Sequence, residues 1–524
     1  MAMPLRAQAR PETGLSAAQS PGRRAWLNMR LQRARVLTAV AAAVTATAAV
    51  GQGAATIVPS LSVTMTATDN VDLGPGGRSD LITELRPGIA IASRRGPLQG
   101  MLDYSLSGVV YARSSARNTA YHNLAANGNW TLMDGRAGLD ASASAGRQIV
   151  SAFGTQSSDP FRAQGNQTQV FTYSLSPHIA GPFLGNASYR ARATYSESRS
   201  GASSLNGNTK SLGAVVGLGG RQGMVGWGID ASRSIYETPQ TARAHSGSII
   251  GSLSFQPDPD WMVAARAGTE VNDILAGQSE RIFSWGLGAQ WLPTPRTVLR
   301  ADYDRRFFGR SHALTFSHRT ARTVWTLGDQ RSFQVSNTGG RAIVSVYDLF
   351  FAQFASIEPD PIQRDLLVRN FLAANGIDPN SSVVVGGFLN SGPTVQRSQS
   401  VAVAYQGLRS TVVFSVVRSN TQQIGHGPAT GDLSVTNKVD QRTVSVSLSH
   451  RLTPDSSLLV SLSQQHTPDS GSLKGNDLQT IVATWSKRLG PSTTGSLGLR
   501  HSRFDSESRP YNESALIGSL RMQF

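Results

Sequence analysis

Charged side chains that recur at every second position are the most chemically suggestive feature of the sequence. One parity of the segment 299–306 holds Arg300, Asp302, Asp304 and Arg306, and the other holds Leu299, Ala301 and Tyr303. The same spacing relates Arg190 to Arg192 and Glu84 to Arg86, and further charges occur at Arg266, Glu270 and Arg500. In an extended chain, residues two apart point to the same side. Each set therefore forms a polar face, which can pair with neighbouring strands or hold a polar solute.

Motifs of known catalytic chemistry are missing from the sequence. It contains no H-E-x-x-H, G-x-S-x-G or Walker A pattern, and its glycine-rich stretches 74–77 and 217–220 lack the context of phosphate-binding loops. The absence of cysteine excludes disulfides and thiolate metal sites. His312 and His318 share parity, but two histidines without a suitably spaced carboxylate are weak grounds for a metal site. We expect a non-enzymatic protein without catalytic residues, cofactor or metal.

From Pro59 to Phe524 apolar and polar residues alternate with a period of two, which predicts β-strands. The segments 61–68, 443–450 and 513–524 are clear examples. Soluble strands are typically about 5 or 6 residues long. The runs here extend over about 10 to 14 residues, enough for a tilted strand to cross the hydrocarbon core of a membrane.

The breaks between these runs alternate between short and long. Short turns are predicted at Arg94–Pro97, Asp134–Arg136, Gly181–Gly185, Gly220–Gln222, Pro257–Asp260, Leu292–Pro295, Thr320–Ala321, Gly407–Arg409, Thr453–Asp455 and Leu489–Ser492. Longer polar breaks include 70–79, 151–167, 200–207, 238–245, 421–437 and 468–476, whereas the break near Gly309 is tight. This alternation is typical of outer-membrane barrels, whose short turns are periplasmic. We predict an all-β fold, a transmembrane antiparallel up-and-down β-barrel of about 22 strands (20–24) over residues 56–524, in the outer membrane of a Gram-negative bacterium.

The barrel prediction decides where the charged faces point. A charged side chain on the lipid face costs about 2–4 kcal/mol at mid-depth. We therefore predict that the charges line the lumen, where they cross-link strands, form a conduit for an anionic or sugar-like solute, or do both. The predicted set comprises Glu84, Arg86, Arg190, Arg192, Arg266, Glu270, Arg300, Asp302, Asp304, Arg306 and Arg500.

Both ends of the chain carry targeting signals. The basic Arg30–Arg35, the apolar Val36–Val50 and small residues that follow predict a signal peptide over residues 1–55, cleaved between Ala48 and Ala55. The long basic region before it suggests an over-extended start. At the other end, the aromatic Phe524 closes an alternating strand and resembles the recognition signal of the barrel-assembly machinery.

The segment 336–396 interrupts the strand pattern. Within it, Tyr347 to Asn375 has helical spacing, Pro359, Asp360 and Pro361 are a helix-start signal, and Gly376 suits a helix end. A long insertion with its own helix usually has a function. We predict one long helix-containing loop that either plugs the lumen or caps the barrel mouth.

The net charge of +16 comes almost entirely from arginine, since the chain has only four lysines. The arginines are scattered singly along alternating segments and form no basic stripe, which argues against nucleic acid as a partner. Outer-membrane lipid and the barrel-assembly machinery are the expected partners.

Several stretches resemble a family of outer-membrane proteins associated with PEP-CTERM and exosortase systems. They are PSLSVTMTATDNVDL, SDLITELRPGIAI, LRADYDRRFFGRSHALTFSHRTARTVWTL, YDLFFAQF, IQRDLLVRNFLAANGI and VVFSVVRSN. The resemblance implies an outer-membrane barrel encoded among exopolysaccharide biosynthesis genes, and it supplies no site residues. A TonB-dependent transporter would also have 22 strands, but the first predicted strand follows the signal peptide directly, which leaves no room for an amino-terminal plug domain.

The leading functional hypothesis is a non-enzymatic barrel that assists export or surface handling of exopolysaccharide, with exopolysaccharide or its export proteins as partners. A general porin-like channel and a non-conducting surface scaffold are the alternatives, and an outer-membrane hydrolase is less favoured.

Overall fold

The computed structural model describes residues 55–93, 96–159, 162, 164–201, 208–238, 243–275, 277–335, 343–345, 347, 350–351, 354, 358, 360–374, 382–384, 387–390, 392–425 and 430–524. The predicted signal peptide lies outside these residues, apart from Ala55, and remains a prediction. Parts of the predicted 336–396 insertion, including Gly376, also lie outside them.

The described part of the chain contains twenty-four strands and the helix α1, besides short 3-10 helices and the helical residues 347, 350 and 351. The bounds are β1 Ala55–Thr68, β2 Asp80–Ser93, β3 Leu98–Tyr111, β4 Thr119–Leu132, β5 Ala137–Ile149, β6 Gln167–Phe183, β7 Ala187–Ser200, β8 Thr209–Gln222, β9 Val225–Glu237, β10 Ala244–Asp258, β11 Trp261–Asn272, β12 Glu280–Thr294, β13 Thr297–Arg306, β14 Gly309–Arg319, β15 Thr323–Gln334, β16 Ile343–Ser345, α1 Pro361–Ala374, β17 Ser382–Val384, β18 Thr394–Gln406, β19 Ser410–Gln423, β20 Lys438–Thr453, β21 Ser456–Thr467, β22 Asn476–Arg488, β23 Thr493–Ser506 and β24 Tyr511–Gln523. No helix among the described residues is long and apolar enough to cross a membrane.

Twenty-two of these strands form one closed antiparallel barrel. Each barrel strand pairs with the next along the chain, β15 pairs with β18, and β1 pairs with β24. In the closing pair Ser60 lies opposite Gln523, and the backbone N–H of Phe524 donates to the carbonyl of Pro59 at 2.9 Å. The predicted up-and-down barrel of 22 strands is confirmed. The role of Phe524 as an assembly signal remains a prediction.

The two ends of the barrel differ in the length of their connections. Ten turns of two to four residues occupy one end, at or next to the predicted positions, and we call this the short-turn end. The other end, the long-connection end, carries connections of 6 to 59 residues, apart from tight turns at 307–308 and 507–510. Gly309, with φ of 95°, follows the first of these. A left-handed backbone of this kind favours glycine, which explains why this break is tight.

The outer surface of the barrel is apolar and its inner surface is polar. Leu253, Leu287 and Leu499 point outward and each is more than half exposed. On the inner face, Ser107 and Ser502 are fully buried. Outward-facing tryptophans lie within three residues of the short-turn end, at Trp130, Trp227, Trp261, Trp325 and Trp485.

This arrangement can exist only where the exterior meets lipid. A closed barrel leaves no unpaired strand edge in the hydrocarbon, and an aromatic girdle marks the membrane interface. The chain is an outer-membrane β-barrel of a Gram-negative bacterium, as predicted. The long helix-containing loop is confirmed as the connection 335–393, which contains α1 and the two-stranded sheet of β16 and β17.

Candidate functional site: the barrel lumen

The predicted lumen charges of β11 and β13 contact one another across the intervening strand β12. Arg266 Nη2 lies 2.8 Å from Asp302 Oδ1 and 3.1 Å from Asp304 Oδ1. Strand β12 places Gly286 and Gly288 between them, and a Cβ at Gly286 would lie 1.9 Å from the Asp304 carboxylate. The ion pairs can span a whole strand because the glycines leave the inner face of that strand free.

A second pair crosses β12 nearer the long-connection end. Arg306 Nε lies 2.8 Å from Glu270 Oε1. Glu270 is 2% exposed, and its other oxygen accepts the backbone N–H of Phe307 at 3.2 Å. Arg300 has a neutral partner instead, since its Nε donates to Gln290 Oε1 at 3.1 Å.

The same arrangement recurs on the wall formed by β5 to β9. Arg190 Nη2 reaches over Gly217 of β8 to Asp230 Oδ1 on β9, at 2.6 Å. Arg192 Nη1 crosses β6 to Asp140 Oδ2 on β5, also at 2.6 Å. These arginines connect strands that do not pair with each other, so they brace the wall from inside.

Glu84 and Arg86 form a pair along one strand, with 2.9 Å between Arg86 Nη2 and Glu84 Oε1. Of the predicted lumen arginines, therefore, every one except Arg300 has a carboxylate partner. These contacts support the cross-linking interpretation and leave little excess positive charge to select an anion. That these side chains form a solute pathway remains a prediction.

The connection 150–166, which we call the mouth segment, is fastened to the inner face of β23 and β24 by a buried ion cluster. Arg162 and Arg500 both donate to Glu513 Oε1, at 2.9 and 3.0 Å, and Arg500 also reaches Asp159 Oδ2 at 3.0 Å. Thr68 donates to the same Glu513 oxygen at 2.8 Å. Arg162 and Glu513 have side chains that are each 1% exposed. Charges this deeply buried require partners, so the cluster holds the segment tightly.

The mouth segment is also attached to the β19–β20 connection. The Asp432 carboxylate accepts the hydroxyl of Ser151 at 2.6 Å and the backbone N–H of Ala152 at 2.7 Å. Burial raises the pKa of the Asp432 carboxyl, and these two hydrogen bonds oppose the shift. Phe388 and Leu433 pack against Ala152 in a small apolar cluster. Three connections thus meet at the long-connection end of the lumen.

The connection 335–393, which we call the lumen segment, has a small core of its own. Asp360 caps α1 by accepting the backbone N–H of Gln363 at 3.1 Å, as the predicted start signal requires. The ring of Phe371 in α1 packs against the rings of Phe350 and Phe354, with centroid distances of 5.0 and 5.2 Å. Within the predicted helical stretch of Tyr347 to Asn375, α1 covers Pro361–Ala374, and the described residues Tyr347, Phe350 and Phe351 are helical as well.

Helix α1 packs on the inner wall of the barrel close to the short-turn end. Val368 and Leu372 are 0% and 2% exposed and form a cluster with Val413 of β19. On the other side, Arg369 Nη2 lies 3.1 Å from Asp103 Oδ2 of β3. Val413 shares the inward parity of the buried Thr411 in β19, and Asp103 shares that of the buried Ser107 and Val109 in β3.

These two contacts place α1 inside the lumen. Strands β3 and β19 are separated by seven strands on one side of the ring and by thirteen on the other. A segment that contacts the inner face of both must cross the lumen. Of the two predicted alternatives, a plug and an external cap, the described residues therefore match the plug.

Sequence reasoning missed several residues that hold this arrangement together. They are Asp103, Asp140, Asp159, Arg162, Asp230, Asp432 and Glu513. For Arg190 with Asp230 and Arg266 with Asp304, a signal did exist: inward-facing glycines at Gly217 and Gly286, on the strands between the charges. The contacts of Asp103, Arg162 and Asp432 join positions hundreds of residues apart and leave no local pattern.

No protein-family model and no curated protein matches the chain. Among solved structures it is similar to the FrpB iron transporter from Neisseria meningitidis, with 10% identity, TM-score 0.46, and coverage of 89% of this chain and 82% of that one. It is similar to the siderophore receptor PirA from Pseudomonas aeruginosa, with 11% identity, TM-score 0.43, and coverage of 89% and 80%. It is also similar to the ferric-catecholate import receptor Fiu from E. coli K12, with 9% identity, TM-score 0.45, and coverage of 89% and 81%.

At these identities the similarity concerns the barrel fold. The similar structures are named as transporters and receptors. The predicted export or surface handling of exopolysaccharide finds no support among these structures, which are named as an iron transporter, a siderophore receptor and an import receptor, and it is not pursued further. The resemblance to the PEP-CTERM-associated family remains a prediction. The porin-like alternative is also not favoured, because a general pore stays open whereas the mouth segment and the lumen segment cross this lumen.

Proposed function

We propose that the chain is a gated transport barrel, through which a polar solute crosses the outer membrane when the lumen segment moves. The observation that carries the proposal is the position of α1, inside the lumen and between the inner faces of β3 and β19. A helix in that position blocks passage while it stays there. A balanced, polar inner wall around it suits a hydrated solute more than an apolar one.

The lumen segment is fastened in a way that permits movement. Among the described residues, one partly exposed ion pair, Arg369 with Asp103, and one apolar patch around Val413 hold α1 to the wall near the short-turn end. The mouth segment, by contrast, is held by charges that are almost fully buried. Breaking apolar contacts and a screened ion pair costs less than separating buried charges. The lumen segment is therefore the movable barrier.

The aromatic core of the lumen segment supports the same conclusion. Tyr347 donates to Asp365 at 2.6 Å, and the guanidinium of Arg369 lies 5.0 Å from the Tyr347 ring. These contacts are within the segment, so they can persist when it leaves the wall. A unit that moves as one body needs internal contacts of this kind.

The test is single-channel conductance in planar bilayers with the purified full chain. Replacing Val368 and Leu372 with Asn puts unpartnered amides into a buried contact, at about 1–3 kcal/mol each. We expect the open fraction to rise by about tenfold or more, since about 1.4 kcal/mol changes an equilibrium tenfold. Leu367→Asn is the matched control, because Leu367 lies on the same helix and is 38% exposed.

A cross-linking arm tests the position of the helix directly. The chain has no native cysteine, so Asp103→Cys and Arg369→Cys can be joined specifically by a short bismaleimide. The cross-linked protein should conduct no more than the wild type, even with the Asn substitutions. If the Asn variant, combined with Glu513→Gln to release the mouth segment, still conducts no better than wild type, the transport proposal fails.

A further inference from the structure

Arginines face arginines on the outer surface of the barrel. The register places Arg305 opposite Arg310, Arg331 opposite Arg397, and Arg418 opposite Arg442. Like charges directly opposite each other destabilise a strand pair. Three such pairs on neighbouring strands, from β13 to β20, therefore need compensation from elsewhere.

All six arginines share the outward parity of their strands. Arg305 lies beside the outward Trp285. Arg397 has the same parity as the outward Val401, and Arg418 has the same parity as the outward Phe414. Each arginine lies within five residues of the long-connection end. The row thus stands where the outer leaflet of the membrane meets the extracellular side. Toward the short-turn end, the outward positions of these strands become apolar within four residues of each arginine, as at Leu314, Leu327, Val401 and Val444.

Carboxylates of the chain compensate only part of this charge. Arg397 Nη2 lies 2.6 Å from Asp329, and Arg418 Nη2 lies 2.7 Å from Asp440. Within the described part of the chain, no carboxylate comes within 4 Å of Arg305, Arg310 or Arg442. The row carries six positive charges against the two aspartates.

A groove on the outer surface joins this row to the apolar band. It has a volume of about 720 Å³ and is lined by Leu314, Leu327, Val401 and Val416 on one side and by Arg418 and Arg442 on the other. Asp329 and Asp440, which pair with Arg397 and Arg418, also line the polar side. Because the six arginines of the row outnumber these two carboxylates, the groove is apolar toward the membrane centre and net cationic toward the headgroups, which complements an amphiphile with an anionic head. Arginine binds phosphate through paired N–H groups more strongly than it binds a neutral acceptor.

We infer that this face binds a phosphorylated glycolipid of the outer leaflet, with phosphate between Arg418 and Arg442 and an acyl chain along the Leu314–Val416 side of the groove. The phosphate supplies the negative charge that the opposed arginines lack. The inference is independent of what crosses the lumen.

The experiment measures binding of lipid A that carries its phosphates to the full chain in neutral detergent micelles, by native mass spectrometry and by the shift in thermal unfolding midpoint. Two comparison ligands are measured on the same wild-type chain: lipid A with its phosphates removed, and inorganic phosphate alone. We expect only the phosphorylated lipid to bind measurably and to raise the midpoint.

The variant arm uses Arg418→Gln with Arg442→Gln, and Arg503→Gln as the matched control. Arg503 also faces outward near the long-connection end, but it pairs with Asp505 at 3.0 Å and lies outside the row. We expect the double variant to bind the phosphorylated lipid at least about tenfold more weakly, which corresponds to about 1.4 kcal/mol. Without lipid, its midpoint should stay close to that of the wild type, because the double variant removes the Arg418–Arg442 repulsion and also loses the Arg418–Asp440 ion pair.

Three results would overturn the inference. Equal binding of the dephosphorylated lipid shows that the arginines do not recognise phosphate. An equal shift with inorganic phosphate shows a free-anion site. A wild-type dimer that the double variant loses shows that a second copy covers the row.

Discussion

Glu513 offers the sharpest test of what fastens the mouth segment. Its Oε1 atom accepts hydrogen bonds from Thr68, Arg162 and Arg500 at 2.8 to 3.0 Å, and its side chain is 1% exposed. The substitution Glu513→Gln keeps the size of the side chain and removes its charge. Two guanidinium groups then remain buried with a neutral amide between them.

The expected cost follows from the partners that remain. Breaking a buried ion pair by removing one partner typically costs about 3–5 kcal/mol. Asp159 still lies 3.0 Å from Arg500 and compensates one of the two cations. We therefore expect a loss at the low end of that range, about 3 kcal/mol in the free energy of unfolding. Local release of the mouth segment can account for part of this loss before the barrel itself unfolds.

Two measurements separate these contributions. Urea unfolding in lipid vesicles, followed by tryptophan fluorescence, gives the free energy for the whole barrel. Amide hydrogen exchange gives protection for residues 150–159 alone, and we expect it to fall while β23 and β24 stay protected. Glu507→Gln is the control, because Glu507 is 68% exposed and 3.5 Å from Lys474, and we expect it to behave like the wild type.

A double variant tests the cause as well as the effect. If the unpaired cation is what destabilises Glu513→Gln, adding Arg162→Met should recover part of the loss, because one of the two buried charges is gone. A loss equal to that of Glu507→Gln, or a further loss on adding Arg162→Met, would refute the reasoning.

Two further predictions concern the barrel ends. Deleting Phe524 should lower the amount of assembled, heat-modifiable barrel on unboiled gels much more than it lowers synthesis; unchanged assembly would show that the aromatic end is incidental. For Asp432, burial places the pKa in the folded protein above the unfolded value of about 4, so folding takes up a proton. Its contribution to stability is therefore greatest below the unfolded pKa and falls as the pH rises through the folded pKa. Asp432→Asn should flatten that part of the dependence of hydrogen-exchange protection at 151–153 on pH, and an unchanged profile would assign the dependence to another group.

The barrel could be predicted from the sequence because its pattern is local. In a strand that crosses a membrane, successive side chains face lipid and lumen in turn, so apolar and polar residues alternate along its whole length. Asp360 at the start of α1 and Gly309 at the tight turn are local in the same sense, since each satisfies the backbone next to it. Small shifts of the turns, such as 184–186 for the predicted Gly181–Gly185, arise because strands continue past the membrane boundary.

Only part of the candidate site could be predicted from the sequence. Parity placed Arg190 and Arg266 on the polar face, but parity does not reveal their partners. Those partners depend on register, and the register of each strand depends on its turn. Arg418 and Arg442 show the limit most clearly. In the sequence they are single arginines in separate strands, and only the pairing of β19 with β20 makes them direct neighbours.

The contrast between the two segments in the lumen follows from what each one buries. The mouth segment buries charges. Separating a buried charge from its partner costs several kcal/mol of free energy, about 3–5, so the segment remains in place. The lumen segment buries mainly aromatic and aliphatic groups, many of them against each other. Its helix α1 meets the wall through the apolar patch around Val413 and one ion pair with Asp103. Such a contact can be broken and re-formed without stranding a charge in the lumen. A barrel with one fixed and one releasable barrier has the means to open and close, whichever solute it admits.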